Sequence, residues 1–168
     1  DLIFQFYGGN IPEGATVSFA AVRDKLGRLL RWEALVALNQ SQTDGELQNQ
    51  LFMVTLSGDV FRIKHIIDRD FRNRLIARTV LTYHPNGQIS YKQEIRYRNG
   101  RFAVRYDSEY DLNGDITKLL IRTYDEAGRV QSADEYRYSN RELMKRLYTA
   151  YASDGSVTES STLDFPQS

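Results

Sequence analysis

Cysteine is absent from these 168 residues, which removes disulfides, thiol nucleophiles and thiolate metal sites together. Excess charge of either sign is also lacking, since 22 Lys and Arg balance 22 Asp and Glu. That balance argues against nucleic acid as a partner, because a broad phosphate footprint needs surplus positive charge to release counterions. No apolar run approaches the roughly 20 residues of a membrane helix. The candidate strands carry charge on both faces, so a lipid-facing barrel band and membrane insertion are not expected either. The opening Asp1-Leu2-Ile3-Phe4 shows no basic, apolar leader pattern, as would also hold for a chain whose leader had been removed. Against these absences stand 41% hydrophobic and 12% aromatic residues, enough to drive folding of one domain over residues 1–168.

What the chain does have is punctuation. Turn signals fall at Asp24-Lys25-Leu26-Gly27, Thr43-Asp44-Gly45, Ser57-Gly58-Asp59 and Phe71-Arg72-Asn73. They continue at Pro85-Asn86-Gly87, Arg98-Asn99-Gly100, Leu112-Asn113-Gly114, Glu126-Ala127-Gly128, Ser139-Asn140-Arg141 and Ser153-Asp154-Gly155. From Asn73 through Gly87, Gly100, Gly114, Gly128, Arg141 and Gly155 the interval is always 13 or 14 residues. Asn-Gly and Asp-Gly supply the positive φ of tight hairpin turns at little steric cost. An apolar residue follows each turn, and Tyr83, Tyr97, Tyr110, Tyr124, Tyr138 and Tyr151 stand just before the later ones. Each tyrosine is expected to pair across its turn with the apolar residue beyond it, as sheet packing rather than a ligand ladder.

Between turns the residues alternate with period two, the pattern of half-buried strands. Ile89, Tyr91, Gln93, Ile95 and Tyr97 share one face; Phe102, Val104, Tyr106, Ser108 and Tyr110 continue it. Setting Tyr97 against Phe102 places Glu94 opposite Arg105 and Lys92 opposite Asp107, and setting Tyr83 against Ile89 places Arg78 opposite Glu94. Leu2–Tyr7 reads as a further strand before the loop Gly8–Gly14. Val17–Leu38 fits a hairpin or an amphipathic helix. Gly27 would cost the helix about 1 kcal/mol, and Asp24-Lys25-Leu26-Gly27-Arg28-Leu29 parallels Asp125-Glu126-Ala127-Gly128-Arg129-Val130, so the hairpin is favoured.

The run Tyr83-His84-Pro85-Asn86-Gly87-Gln88-Ile89, with Tyr97-Arg98-Asn99-Gly100 and Tyr110-Asp111-Leu112-Asn113-Gly114, resembles the MORN-like hairpin repeats of bacterial antitoxin-type proteins. Tyr124-Asp125-Glu126-Ala127-Gly128-Arg129-Val130 is similar to one unit of the YD repeats of bacterial surface and toxin-shell proteins. The resemblance covers about residues 78–165, and the extra glycine usual in MORN units is missing here. It implies a repetitive, non-enzymatic β scaffold used in binding or assembly. An extracytoplasmic bacterial location is the expectation.

Candidate chemistry is sparse. His65 alternates with Phe61, Ile63 and Ile67 and is expected inside; His84 before Pro85 is expected in an exposed turn. Asp107, Glu109 and Asp111 are expected on a solvated outer face. No spacing of ligands points to a metal or cofactor, and no serine or threonine has a nucleophile's context. One feature stands out: beyond residue 111 the turn-marked face acquires Lys118, Arg122, Asp134 and Lys145 beside Tyr136. With Tyr106, these would line a mixed interior if the meander closed, a lining suited to a small ligand.

The expectation is therefore an all-β, antiparallel up-and-down meander of about ten to twelve strands. A closed or nearly closed barrel is favoured over an open twisted sheet, because exposed edges invite association. The expected function is a non-catalytic binding or assembly module recognising protein or glycan. The alternatives are a lipocalin-like carrier of a small, partly apolar molecule, or a cyclase or isomerase using Tyr106, Lys118, Arg122, Asp134 or Tyr136 inside such a barrel. Self-association is the other route by which open edges could be satisfied.

Overall fold

The computed structural model describes residues 16–39 and 60–166. Among these there are ten strands and no helix: β1 (Thr16–Arg23), β2 (Leu29–Asn39), β3 (Val60–Arg69), β4 (Leu75–Tyr83), β5 (Ile89–Arg98), β6 (Arg101–Tyr110), β7 (Ile116–Tyr124), β8 (Val130–Ser139), β9 (Glu142–Tyr151) and β10 (Val157–Asp164). They form one sheet in chain order, each strand antiparallel to the next. Val17–Leu38 is the hairpin β1–β2. The expected strand Leu2–Tyr7 and the turn signals at Thr43–Gly45 and Ser57–Asp59 lie outside the described residues.

Two turn classes explain the alternation of 13- and 14-residue intervals. Six turns, starting at Asp24, Asp70, His84, Asp111, Asp125 and Ala152, share one hydrogen-bond pattern. The amide three residues on donates to the first carbonyl, and the first amide donates to the carbonyl four residues on. The fourth position has positive φ, filled by glycine except for Asn73 at 63°. Where the first residue is aspartate, its Oδ1 accepts the amides two and four residues on; at Asp24 both distances are 2.9 Å. Those amides, that of Arg28 first, hold the Asp24 carboxyl below its ordinary range. The remaining two turns are the dipeptides Asn99-Gly100 and Asn140-Arg141, with positive φ at both residues. Two-residue turns of this kind match the right-handed strand twist, and each shortens the interval before it by one residue.

All six expected tyrosine pairs are present: Tyr83 with Ile89, Tyr97 with Phe102, Tyr110 with Ile116, Tyr124 with Val130, Tyr138 with Leu143 and Tyr151 with Val157. Immediately beyond each such pair, and beyond the pairs Arg23–Leu29 and Arg69–Leu75, the register slips by one. Leu30, Ile76, Ser90, Ala103, Thr117, Gln131, Met144 and Thr158 are the extra residues, left without an opposite partner. An extra residue in one strand shifts every later side chain to the other face relative to the uninterrupted register. The expected charge pairs are overturned for this reason. Arg105 faces Ile95 rather than Glu94, Asp107 faces Gln93 rather than Lys92, and Arg78 faces Ile95 rather than Glu94.

The slips exchange the polarity of the two faces midway through the sheet. Paired residues share a face, and alternate residues of a strand share one too. On the front face β1–β5 present Val17, Phe19, Trp32, Ala34, Val36, Ile63, His65, Ile67, Val80, Thr82, Tyr91, Gln93 and Ile95. On that face β6–β9 present Arg105, Asp107, Glu109, Lys118, Leu120, Arg122, Glu135, Arg137, Lys145 and Leu147. The back face is the reverse. It carries Arg31, Glu33, Lys64, Asp68, Lys92, Glu94 and Arg96 in β2–β5, then Val104, Tyr106, Leu119, Ile121, Tyr136 and Tyr148 in β6–β9. Val104 and Tyr106 thus lie on the opposite face from Tyr91 and Ile95, not on a continuation of it.

The tightest core is the front of β2–β5, where Ala34, Val36, Ile63, Val80 and Tyr91 are all but inaccessible. Full burial of a side chain such as Ile63 contributes about 1.5–3 kcal/mol. Phe19 stacks on Trp32 with ring centroids 5.4 Å apart beside this core.

The barrel expectation is corrected. Among the described residues β1 pairs only with β2 and β10 only with β9, so the sheet is open. A closed barrel needs one face to serve as its interior all the way round. Here no face is apolar throughout, so closure would enclose the charges of either half. The edges are managed by other means: β1 and β10 are the shortest strands, and β10 is almost wholly polar, Val157-Thr158-Glu159-Ser160-Ser161-Thr162-Leu163-Asp164.

Candidate functional site

On the back of β6–β9, Val104, Tyr106, Leu119, Ile121, Tyr136 and Tyr148 are partly exposed. Their register follows from the slips at Ala103, Thr117, Gln131 and Met144. A compact polar group lies among them. Arg146 donates to both carboxylate oxygens of Asp134, at 2.8 and 2.9 Å, and the Tyr136 hydroxyl donates to Oδ2 of Asp134 at 3.0 Å. The guanidinium also lies over the rings of Tyr136 and Tyr148, 5.5 and 5.8 Å from their centroids. Hydrogen bonding from Arg146 pulls the Asp134 carboxyl below its ordinary range. Burial, then the bond to Asp134, pushes the Tyr136 phenol up. The group is charge-neutral, and its tyrosine faces are partly covered by Arg146.

A second cluster lies on the front of β5–β7. The buried Tyr91 hydroxyl donates to Asp107, whose carboxylate also takes two bonds from Arg105, at 2.9 and 3.2 Å. Nη1 of Arg122 stands 3.8 Å from the same carboxylate. Burial, then the hydrogen bond to Asp107, pushes the Tyr91 phenol well above its ordinary range. Asp107 is therefore not the solvated outer carboxylate expected, since its side chain is only 11% exposed. Lys118 lies 3.6 Å from Glu109 and 3.4 Å from Glu135, and Lys145 lies 3.5 Å from Asp164.

The six candidate ligand-binding residues do not share a face. Tyr106, Asp134 and Tyr136 are on the back, whereas Lys118, Arg122 and Lys145 are on the front. Only Asp134 and Tyr136 touch. Arg146 and Tyr148, which complete their cluster, escape the sequence because the extra residue Met144 hides the β8–β9 register. His65 is interior as expected, 1% exposed. His84 is half-buried rather than exposed, its Nε2 sharing a hydrogen bond with the Tyr110 carbonyl at 3.0 Å. Among the described residues no group of three or more metal-ligating side chains converges. A groove of about 530 Å³ opens on the back of β1–β4, lined by Ser18, Ala20, Glu33, Leu35, Lys64 and Tyr83.

No known family pattern matches the chain, and no curated protein matches it. Among solved structures, one of a protein of unknown function from Bacteroides fragilis overlaps 91% of this chain and 94% of its own. Its identity is 11% and its TM-score 0.25, values that carry no inference to this chain.

Proposed function

We propose that the chain is a non-catalytic binding or assembly module that engages a protein surface through the back of β6–β9. The observation carrying this reading is the exchange of polarity between the faces. It leaves a partly exposed set of tyrosines and aliphatic side chains on a sheet with no second layer over it among the described residues. Sheets stabilise an apolar face by packing a second layer onto it. Tyrosine and arginine are also the side chains that dominate protein contacts. A glycan platform fits less well, because Arg146 already occupies ring faces of Tyr136 and Tyr148 that a sugar would stack on.

The occupant that fits best is a second copy of the chain. The Asp134–Arg146 pair neutralises the patch, so two copies meet without repulsion. Four strands at about 4.8 Å spacing and three paired rows span on the order of 400 Å². Two such faces bury roughly 800 Å², the low end for a specific contact, so weak, concentration-dependent self-association is expected. Sedimentation velocity across about 5–500 μM tests this. The account expects a concentration-dependent dimer that Tyr106→Ser with Tyr148→Ser abolishes. A monomer throughout, or a dimer indifferent to the substitutions, overturns it. Dissociation of the dimer by a free oligosaccharide would assign the face to glycans.

The carrier reading has one observation in its favour, the groove beside Leu35 and Tyr83. A saturating rise in Tm with small apolar ligands, lost in Leu35→Glu, would support it.

A further inference from the structure

The front face carries a charge imbalance that the back-face reading does not use. Arg78 on β4 sits between Ile67 of β3 and Ile95 of β5 at one level of the sheet. It is partly buried, and its Nε is sealed from solvent without a hydrogen-bond partner. No carboxylate pairs with it among the described residues. The same level continues through Arg105 and Arg122, which face Ile95 and each other. The one carboxylate serving that group is Asp107, already shared by Arg105, Arg122 and the Tyr91 hydroxyl. Arg105 and Arg122 therefore share one negative charge, and Arg78 has none beside it among the described residues.

A guanidinium nitrogen sealed from water without an acceptor is destabilising, because its hydration is lost and nothing replaces it. A fold that keeps one on an otherwise apolar strand face is less stable than it would be with an apolar side chain there. That cost is recovered when an anion arrives. The placement also defines where the anion sits. Arg78 and Arg105 flank Ile95 on adjacent strands, so their backbones stand about 10 Å apart. The Arg105 fork is held by Asp107, so the guanidinium left to meet an oxyanion is that of Arg78, with Arg105 a second positive charge across Ile95. Tyr97, two residues along β5 on the same face, brings a phenol to its rim. Phe102, whose ring meets that of Tyr97 edge-on at 5.4 Å, is exposed beside it.

We infer that Arg78, over Ile95 and beside Tyr97 and Phe102, binds a small oxyanion, a carboxylate or phosphate, carried on a partly apolar molecule, with the charge of Arg105 adding to the attraction. The guanidinium fork of Arg78 matches the geometry of such groups, and Ile95, Tyr97 and Phe102 offer its apolar part a surface. Nothing in this site belongs to the back-face cluster, so either can fail without the other.

The test uses the whole chain at constant ionic strength, with inorganic phosphate and benzoate as separate probes. Wild type is expected to show a saturating rise in Tm, roughly 3–6 °C at ten times the Kd. Arg78→Met is expected to have a higher Tm than wild type without probe and to lose the saturating response. The general stabilisation by phosphate occurs in both proteins and cancels in the comparison. A response to benzoate alone identifies a planar carboxylate ligand, and one to phosphate alone a phosphate ester. Equal responses in both proteins, no response in either, or an Arg78→Met protein less stable than wild type without probe would each overturn the inference. The last outcome would mean that the chain already neutralises Arg78 itself.

Discussion

Acidification should destabilise this protein through His65 before its carboxylates begin to titrate. His65 lies at the centre of the front face, opposite Ala34 on one side and Val80 on the other, and is 1% exposed. Burial, reinforced by the charge of Arg78, holds its pKa down at about 4, against an ordinary 6.5. The unfolded chain therefore takes up a proton that the folded one refuses. Stability from this source is complete above pH 6.5 and is lost as pH falls from 6.5 towards 4, reaching about 2 kcal/mol at pH 5 and about 3 kcal/mol in full. Urea unfolding of wild type and His65→Leu at about pH 7.5, 6 and 5 measures it. At an m-value of about 2 kcal/mol/M the wild-type midpoint should drop by about 1 M relative to the variant between the extremes. The carboxylates are common to both proteins and cancel. Whatever the variant's absolute stability, parallel curves would refute the reasoning.

Turn chemistry gives sharper, smaller effects. Arg141 holds a φ of 69°, so Arg141→Gly should stabilise by about 0.5–1 kcal/mol despite losing its exposed ion pair with Asp115; calorimetry reads this as a rise in Tm. Asp125→Ala removes the acceptor for the amides of Ala127 and Arg129 and should lower the denaturant midpoint, whereas Asp125→Asn, which keeps an acceptor oxygen, should lower it much less. Gly128→Ala meets open space but sits at φ 81°, so its cost should be about 1 kcal/mol and come from the backbone alone. Tyr91→Phe should lower unfolding free energy by about 1–2 kcal/mol, because Asp107 loses its donor from the core.

The hairpins were legible in the sequence because their chemistry is local. Asn86-Gly87, Asn99-Gly100 and Asn113-Gly114 each dictate a reversal, and the tyrosine before each turn finds its apolar partner directly across it. The register beyond that first pair was not legible. Leu30, Ile76, Ser90, Ala103, Thr117, Gln131, Met144 and Thr158 share no side-chain property that would mark them as extra, and a slip of one residue moves a whole strand to the other face. The expected pairs Glu94–Arg105 and Lys92–Asp107 looked persuasive because β5 and β6 each alternate correctly by themselves; their charged residues simply point to opposite sides. The candidate site fared likewise. Asp134 and Tyr136, two residues apart on one strand, were found together, while Arg146 and Tyr148 lay across an unseen slip. Closure was misjudged for the same reason, since the exchange of faces is what denies a barrel its interior.

Interstrand backbone NOEs between β5 and β6 test the exchange of faces most directly. The account predicts contacts joining Ile95 with Arg105 and Glu94 with Tyr106; contacts joining Glu94 with Arg105 and Lys92 with Asp107 would contradict it and return both apolar halves to one side of the sheet.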